Sequence, residues 1–213
     1  MYIKKMTLGM LATNTYLVKC TQSGISAVID PAAAADRILD LLRQNNCKLE
    51  YILLTHAHLD HILAVKKLKE QTGAAVCLYP DDFFLIKNID IQTAYLSLPG
   101  AGDLDFTIDH SLDHNELLEL GRHKVKVIHT PGHSPGSVSF AAPGALFSGD
   151  TLFAGSVGRT DLWQGSYPDL LNSVRERLLV LDESTVVYPG HGPDTDIRTE
   201  KRDNPFCRLN EQG

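Results

Sequence analysis

The stretch from Tyr51 to His61, Tyr-Ile-Leu-Leu-Thr-His-Ala-His-Leu-Asp-His, limits this chain more than any other. Tyr51 to Leu54 form an apolar run that reads as a buried strand. The run ends at Thr55, and His56, His58, Asp60 and His61 follow at once. A strand cannot continue there, because charged and imidazole groups would fall on its apolar face. The stretch therefore reads as a loop at a strand's carboxyl end, entering a helix at Asp60 or His61. In extended backbone, residues two apart point the same way. His56 and His58 converge, Asp60 shares their parity, and His61 faces elsewhere. That arrangement suits two adjacent ions better than one. Imidazole and carboxylate together fit zinc, iron(II) or manganese. The plainer alternative is an Asp60 helix cap among solvated histidines. It accounts for any one of the four residues, but not for all four behind a buried strand.

At 213 residues the chain can bury a sizeable core, and residues 1–213 read as a single domain. The formal net charge of −6 argues against a nucleic-acid partner, which needs a basic face. Met1 to Met6 lack the apolar stretch of a signal peptide, and no apolar run approaches membrane-spanning length. Cys20, Cys47, Cys77 and Cys207 stand far apart, without a C-x-x-C pair. Free thiols in a reducing cytoplasm are the expectation, with no membrane partner.

Short strands are predicted at Ile3–Leu8, Thr15–Lys19, Ile25–Ile29, Lys48–Thr55 and Ala74–Tyr79. Helices are predicted at Ala33–Asn45 and Ile62–Gln71, the second closed by Gly73. Asp81–Lys87 reads as a short helix and Leu98–Asp103 as a loop. Asp105–Leu120 holds Asp109, His110, Asp113 and His114, but no strand delivers them together, so it reads as a solvated acidic loop. Strands return at Lys124–His129, Ser137–Ala141, Ala145–Ser148 and Thr185–Tyr188, with a helix at Tyr167–Leu181. Arg198–Leu209 reads as a polar tail with one apolar residue, Phe206. Each half of the chain repeats strands followed by a helix.

His133, Asp150 and His191 each lie just past a short apolar strand, in a turn bearing Gly or Pro. Open sheets collect functional groups at such positions. Singly, each has a bland reading: a loop histidine bonded to backbone, or a turn cap. His191 between two glycines is the hardest to explain away, since that turn has no core to satisfy it. As a set, His56, His58, Asp60, His61, His133, Asp150 and His191 can meet at one rim of one sheet system.

The strings T-H-A-H-L-D-H, P-G-H-S-P-G-S, F-S-G-D-T-L-F and P-G-H-G resemble the metallo-β-lactamase superfamily across nearly the whole chain. Gly155-Ser-Val-Gly-Arg-Thr-Asp-Leu162 and the ending from His191 are similar to short bacterial glyoxalase II-like hydrolases. The resemblance implies an α/β fold, a four-layer αββα sandwich of two mixed sheets with helices outside. It also implies that His56, His58 and His133 hold one ion and Asp60, His61 and His191 a second, with Asp150 bridging. The true β-lactamases of this superfamily usually carry Cys at the bridging position, and the oxygen-reducing diiron branch usually carries Glu where His58 stands. The implied cofactor is a pair of divalent ions, zinc first, with iron or manganese as alternatives.

Two divalent ions, offset by Asp60, Asp150 and a bridging hydroxide, leave such a site at a net charge of about +1. It would attract a small anionic substrate and stabilise an oxyanion. The bridging hydroxide would attack a carbonyl carbon, with Asp60 both ligating and orienting it. A thiol leaves as thiolate near neutral pH, whereas an amide nitrogen needs a proton donor that the sequence does not offer. A thioester is therefore the expected substrate, S-2-hydroxyacylglutathione or a related thiol ester. Full-length glyoxalase II proteins carry a helical region for glutathione at their carboxyl end, whereas about twenty residues follow His191 here. Arg159, in a Gly-rich loop, is the candidate contact for a substrate carboxylate, or else half of a surface ion pair. The alternatives are a mononuclear iron persulfide dioxygenase and a non-catalytic metal-binding protein.

Overall fold

Residues 1–96 and 104–207 are described by the computed structural model. The first half builds one sheet from strands that alternate between two cores. Strand β2 (Thr13–Lys19) pairs antiparallel with β1 (Tyr2–Leu8) on one side and β3 (Ile25–Ile29) on the other. On β2, Tyr16 and Val18 enter one apolar cluster and Leu17 enters another, so both faces are buried. Helix α1 (Ala35–Gln44) then crosses over, and β4 (Lys48–Leu53) joins β3 in parallel.

The helix predicted after His61 comes in two pieces, α2 (Leu59–Ile62) and α3 (Val65–Thr72). Between them the Ala64 N–H donates to the Pro31 carbonyl at 2.9 Å, a bond outside any helix. Gly73 closes α3 in the left-handed region, as predicted. Strand β5 (Ala75–Leu78) follows in parallel with β4. A tight turn at Pro80–Asp82 leads into α4 (Phe83–Lys87) and α5 (Ile89–Leu96). Strand β6 (His110–Ser111) edges this first sheet.

The second sheet begins with a meander of β7 (Leu117–Leu120), β8 (His123–His129), β9 (Val138–Ala142) and β10 (Ala145–Gly149). A small hairpin, β11 (Leu152–Phe153) and β12 (Ser156–Val157), leaves its end. Helix α6 (Tyr167–Asn172), capped by Ser166, continues as a wider π-type coil over Ser173–Leu178. Strand β13 (Val186–Pro189) then pairs parallel to β10, and β14 (Thr195–Asp196) and α7 (Ile197–Asp203) finish the fold.

Tyr16, Ile29 and Leu53 of the first sheet share one buried cluster with Val127, Phe140 and Phe147 of the second. Outside the first sheet lie Ile38, Leu42 and Leu68; outside the second, Val174, Leu178 and Ile197. The layers are therefore helix, sheet, sheet, helix, as the sequence led us to expect. Burying each Leu, Ile or Phe in these layers contributes about 1.5–3 kcal/mol before entropy is counted.

Three segments differ from the sequence reading. Within the expected acidic loop, β7 exists because Leu118 and Leu120 are buried against β8. The doublet Leu117–Leu118 hides that alternation in the sequence. Helix α5 was not anticipated. The polar tail contains α7, capped by Asp196 accepting from the Thr199 N–H at 2.8 Å. The loop read at 98–103 and the end of the tail read to Leu209 lie outside the described residues. The acidic residues declined as ligands are surface partners: Asp109 pairs with Lys69 at 2.7 Å and His110 with Glu116 at 2.6 Å. All four cysteines are free. Among the described residues no helix is long and apolar enough to cross a membrane.

Candidate active site

The seven side chains singled out in the sequence converge on one rim. His56 and His58 lie past β4, Asp60 and His61 on α2, His133 past β8, Asp150 past β10 and His191 past β13. His56, His58 and His133 bring ligand atoms within 4.8 Å of one another, and so do Asp60, His61 and His191.

Four imidazoles have one nitrogen already committed. His56 Nδ1 meets the Thr55 hydroxyl at 3.0 Å, and that hydroxyl donates to Asp30 at 2.6 Å. His61 Nδ1 meets Asp30 Oδ2 at 3.0 Å, His133 Nδ1 the Arg159 carbonyl at 2.8 Å, and His191 Nδ1 the Leu11 carbonyl at 3.1 Å. Each partner accepts from Nδ1, so Nε2 is the nitrogen left to face the site. Outer partners of this kind fix the orientation of metal-binding histidines. His58 differs, since its Nδ1 is the nitrogen beside His133 Nε2, at 2.8 Å.

Around Asp60 and Asp150 the inward atoms are spaced for ions rather than for hydrogen bonds. His61 Nε2 and His191 Nε2 each stand 3.4 Å from Asp60 Oδ2. Asp150 reaches both groups: its oxygens lie 3.6 Å from His61, 3.5 Å from His191 and 3.6 Å from His133. Ligands about 2.0–2.1 Å from a tetrahedral ion are roughly 3.4 Å apart. Moreover, His56 Nε2, His61 Nε2 and Asp150 Oδ1 are buried without a hydrogen-bond partner. Buried polar atoms rarely remain so. The donor set and its spacing fit two divalent cations.

The electrostatics divide the site in two. Burial, then the neighbouring imidazoles, hold His56 and His58 well below the usual histidine range, and burial also lowers His133. Burial opposes charge on His61 as well, but the carboxylates of Asp60, Asp150 and Asp30 outweigh it and raise His61 to about 10. His191 is likewise raised against its burial, chiefly by Asp60. Burial would raise Asp60, yet His61, His191 and the Thr13 hydroxyl hold it well below the carboxylate range.

Sequence reasoning missed the residues that hold this site together. Asp30 carries the Thr55 amide at 2.8 Å besides Thr55 Oγ1 and His61, from a left-handed backbone at φ 47. The rule that found Asp150, an acid just past a strand, would have found it too. Thr13 Oγ1 donates to Asp60 at 2.7 Å, and the Asn14 amide donates to the Pro189 and Gly192 carbonyls at 2.9 Å each. Gln92 accepts from the Leu59 N–H and donates to the Ala57 carbonyl. No spacing in the sequence signals these three.

Asp82 is a further brace, fully buried. It accepts from the Ala57 N–H at 3.0 Å, the Ser134 hydroxyl at 2.8 Å and the Gly136 N–H at 2.7 Å, tying the two histidine loops together. Burial pushes its carboxyl up to about 6, against the pull of those donors. Asp82→Ala strands three buried donors, and a loss of about 2–4 kcal/mol is expected. Urea denaturation of the metal-free protein checks this, and an unchanged midpoint would remove Asp82 from the scaffold.

The ions' side of the site opens into a cleft of about 450 Å³, walled by Phe153, Val157, Leu162 and Trp163. Arg159 reaches this cleft, but its guanidinium grips Asp161 through two bonds of 2.6 Å. The buried Glu200 of α7 anchors the hairpin wall, accepting from the Gly155 N–H at 3.0 Å and from the Asn204 amide at 2.7 Å.

The sequence model of the metallo-β-lactamase superfamily matches residues 8–191. The chain is 37% identical over 211 residues to a probable metallo-hydrolase, YqgX, of Bacillus subtilis, covering 95% of this chain and 96% of that one. It is 36% identical over 185 residues to the hydroxyacylglutathione hydrolase GloC of Haemophilus influenzae, covering 85% and 86%. Among solved structures, the BLEG-1 B3 metallo-β-lactamase superposes with a TM-score of 0.90 at 35% identity, covering 97% and 99%. TTHA1623 in a di-iron-bound form gives 0.86 at 38% identity, covering 95% and 99%. With the fold, the paired histidine–aspartate groups and these likenesses in agreement, the chain belongs to the metallo-β-lactamase superfamily of metal-dependent hydrolases.

Proposed function

We propose that the protein is a dinuclear thioester hydrolase of the glyoxalase II-like type, acting on S-2-hydroxyacylglutathione or a related thiol ester. The observation that carries this reading is the pair of adjacent ligand groups within reach of Asp150, with imidazole nitrogens facing inward. His56, His58 and His133 would hold one ion, Asp60, His61 and His191 the other, and Asp150 both. Zinc is the first candidate, with iron or manganese suited to the same donors. Bound there, the ions would supply Lewis acidity and an acidified water. Thr13 keeps Asp60 from rotating away, and Asp30 keeps His61 and, through Thr55, His56 in register. The aromatic and aliphatic wall of the cleft excludes bulk water beside the reacting carbonyl.

The leaving group supports a thioester. Among the residues lining the cleft, Asp60 and Asp150 are the carboxylic acids, and both belong to the ligand set. Nothing else there is placed as an acid to protonate an amine, whereas a thiolate needs none. The likeness to GloC points the same way. The likeness to BLEG-1 favours a second reading, β-lactam hydrolysis. A reducing compartment suits four free thiols, and we place the protein in the cytoplasm.

Elemental analysis of the purified protein, combined with hydrolysis of S-lactoylglutathione, tests the reading. Two ions per chain and release of free thiol are expected. One iron per chain with oxygen uptake on a persulfide, or turnover confined to a chromogenic cephalosporin, would overturn it.

Loading the two ions should have different pH dependence. His61, raised to about 10, is protonated at neutral pH and must lose that proton before Nε2 can bind an ion. His56, His58 and His133 are held low and are already neutral. The Asp60–His61–His191 site should therefore release a proton on loading and weaken as pH falls from about 10. The other site should release none at pH 7. Calorimetry in buffers of different ionisation enthalpy reads both, and equal proton release at the two sites would contradict this division.

A further inference from the structure

Beside the cleft lies a second cavity, of about 310 Å³, between α4, α5 and the loop carrying Trp163. Phe84, Leu85, Ile91 and Trp163 form its apolar walls, Gln92 lies at its base, and among the described residues no charged side chain lines it. Its size falls in the range of small-molecule sites. Trp163 lines both cavities, and its ring centroid is 5.8 Å from that of His58. One indole thus borders both the candidate metal site's cleft and this chamber. Gln92 also bonds Leu59 and Ala57 in the histidine loop, so the base of the chamber is part of the frame of the site.

The two ends of the cleft differ. His191 is 30% exposed and marks the end open to water, whereas His58 and His133 are buried at the Trp163 end. A thiol carrier bearing amides and charges is best solvated at the open end. The arm directed towards Trp163 is then the acyl group. Arg159, the cation of the cleft, is already gripped by Asp161, so the site offers little to a charged acyl arm.

We infer that the chamber behind Trp163 receives an apolar acyl arm, so that the preferred substrates are thioesters of hydrocarbon acids several carbons long. This rests on the thioester reading above and narrows it. The measurement is kcat/KM for S-acetyl and S-hexanoyl esters of one thiol, N-acetylcysteamine, in the metal-loaded wild type and in Ile91→Asp. Ile91 is 55% exposed, so the substitution leaves the core intact while placing a charge in the chamber. The hexanoyl ester is expected to exceed the acetyl ester by at least about tenfold in the wild type, as burial of part of the longer chain requires. The advantage should vanish in Ile91→Asp. Equal kcat/KM for the two esters in the wild type, or an advantage that survives the substitution, would overturn the inference.

Trp163 is the sole tryptophan, so its fluorescence reads occupancy without turnover. Titration with hexanoate should give a saturable change in the wild type and none in Ile91→Asp. If no thioester were hydrolysed at all, the proposed function would fail, and this titration alone would decide the chamber. A saturable, Ile91-dependent change would support it, and a flat signal would refute it.

Discussion

Asp150→Ala is expected to lower thioester turnover by roughly a thousandfold or more and to bring the metal content below two ions per chain. Asp150 is the carboxylate within reach of both ligand groups, lying 3.6 Å from His133 and 3.6 Å from His61. Without it the two groups lose their common member, and the charge of two cations is less well offset. Stability should respond differently. Asp150 Oδ1 is buried without a hydrogen-bond partner, so its removal strands no donor, although His61 loses one of three carboxylate neighbours. The metal-free variant should therefore unfold within about 1 kcal/mol of the wild type. Circular dichroism melts of both metal-free proteins, with elemental analysis of the loaded ones, separate chemistry from folding. His58→Ala should behave alike in turnover, and full activity in either variant would defeat the dinuclear reading.

Gly190→Ala should be almost as damaging, although it removes no functional group. A Cβ built there stands 2.1 Å from Asp150 Oδ1 and 2.9 Å from His61 Cε1. Carboxylate and imidazole would both have to give way. The backbone cannot yield instead, because the Gly190 N–H donates to Gly149 at 2.8 Å and the Gly190 carbonyl accepts from Asn14 at 2.7 Å. The expected result is a loss of roughly 100-fold in affinity at the Asp60–His61–His191 site, comparable with the strongest effects of disturbing groups that orient ligands. Competition with a chromogenic chelator measures it. Two ions held with wild-type affinity would show that the position of the Asp150 carboxylate is not critical.

The candidate ligands stood out in the sequence because each stands alone in its chemistry. Histidines after the apolar run of β4, or between two glycines after β13, have no role in a core. The layers came from the likeness of the histidine- and aspartate-bearing strings to a known superfamily, with which the order of strands and helices agreed. The braces were not. Asp82 and Gln92 lie on a turn and a helix far from the motifs, and only their hydrogen bonds to Ala57 and Leu59 give them a purpose. Strand β7 was hidden by its leucine doublet, and α7 by having Ile197 as its main apolar anchor against a largely polar face. Arg159 illustrates a different limit. Its two readings, a substrate contact or half of a surface ion pair, stayed open, and the structure shows it at the cleft paired with Asp161.

The clamp of Asn14 on Pro189 joins residues 175 positions apart. During translation, then, the two candidate ligand groups are completed at different times. His56, His58 and His133 can meet once the loop after β8 has left the ribosome. Asp60 and His61 must wait for His191, near the end of synthesis. A nascent chain stalled before β13 would lack His191, so under the proposed dinuclear reading it could not complete the second ion site.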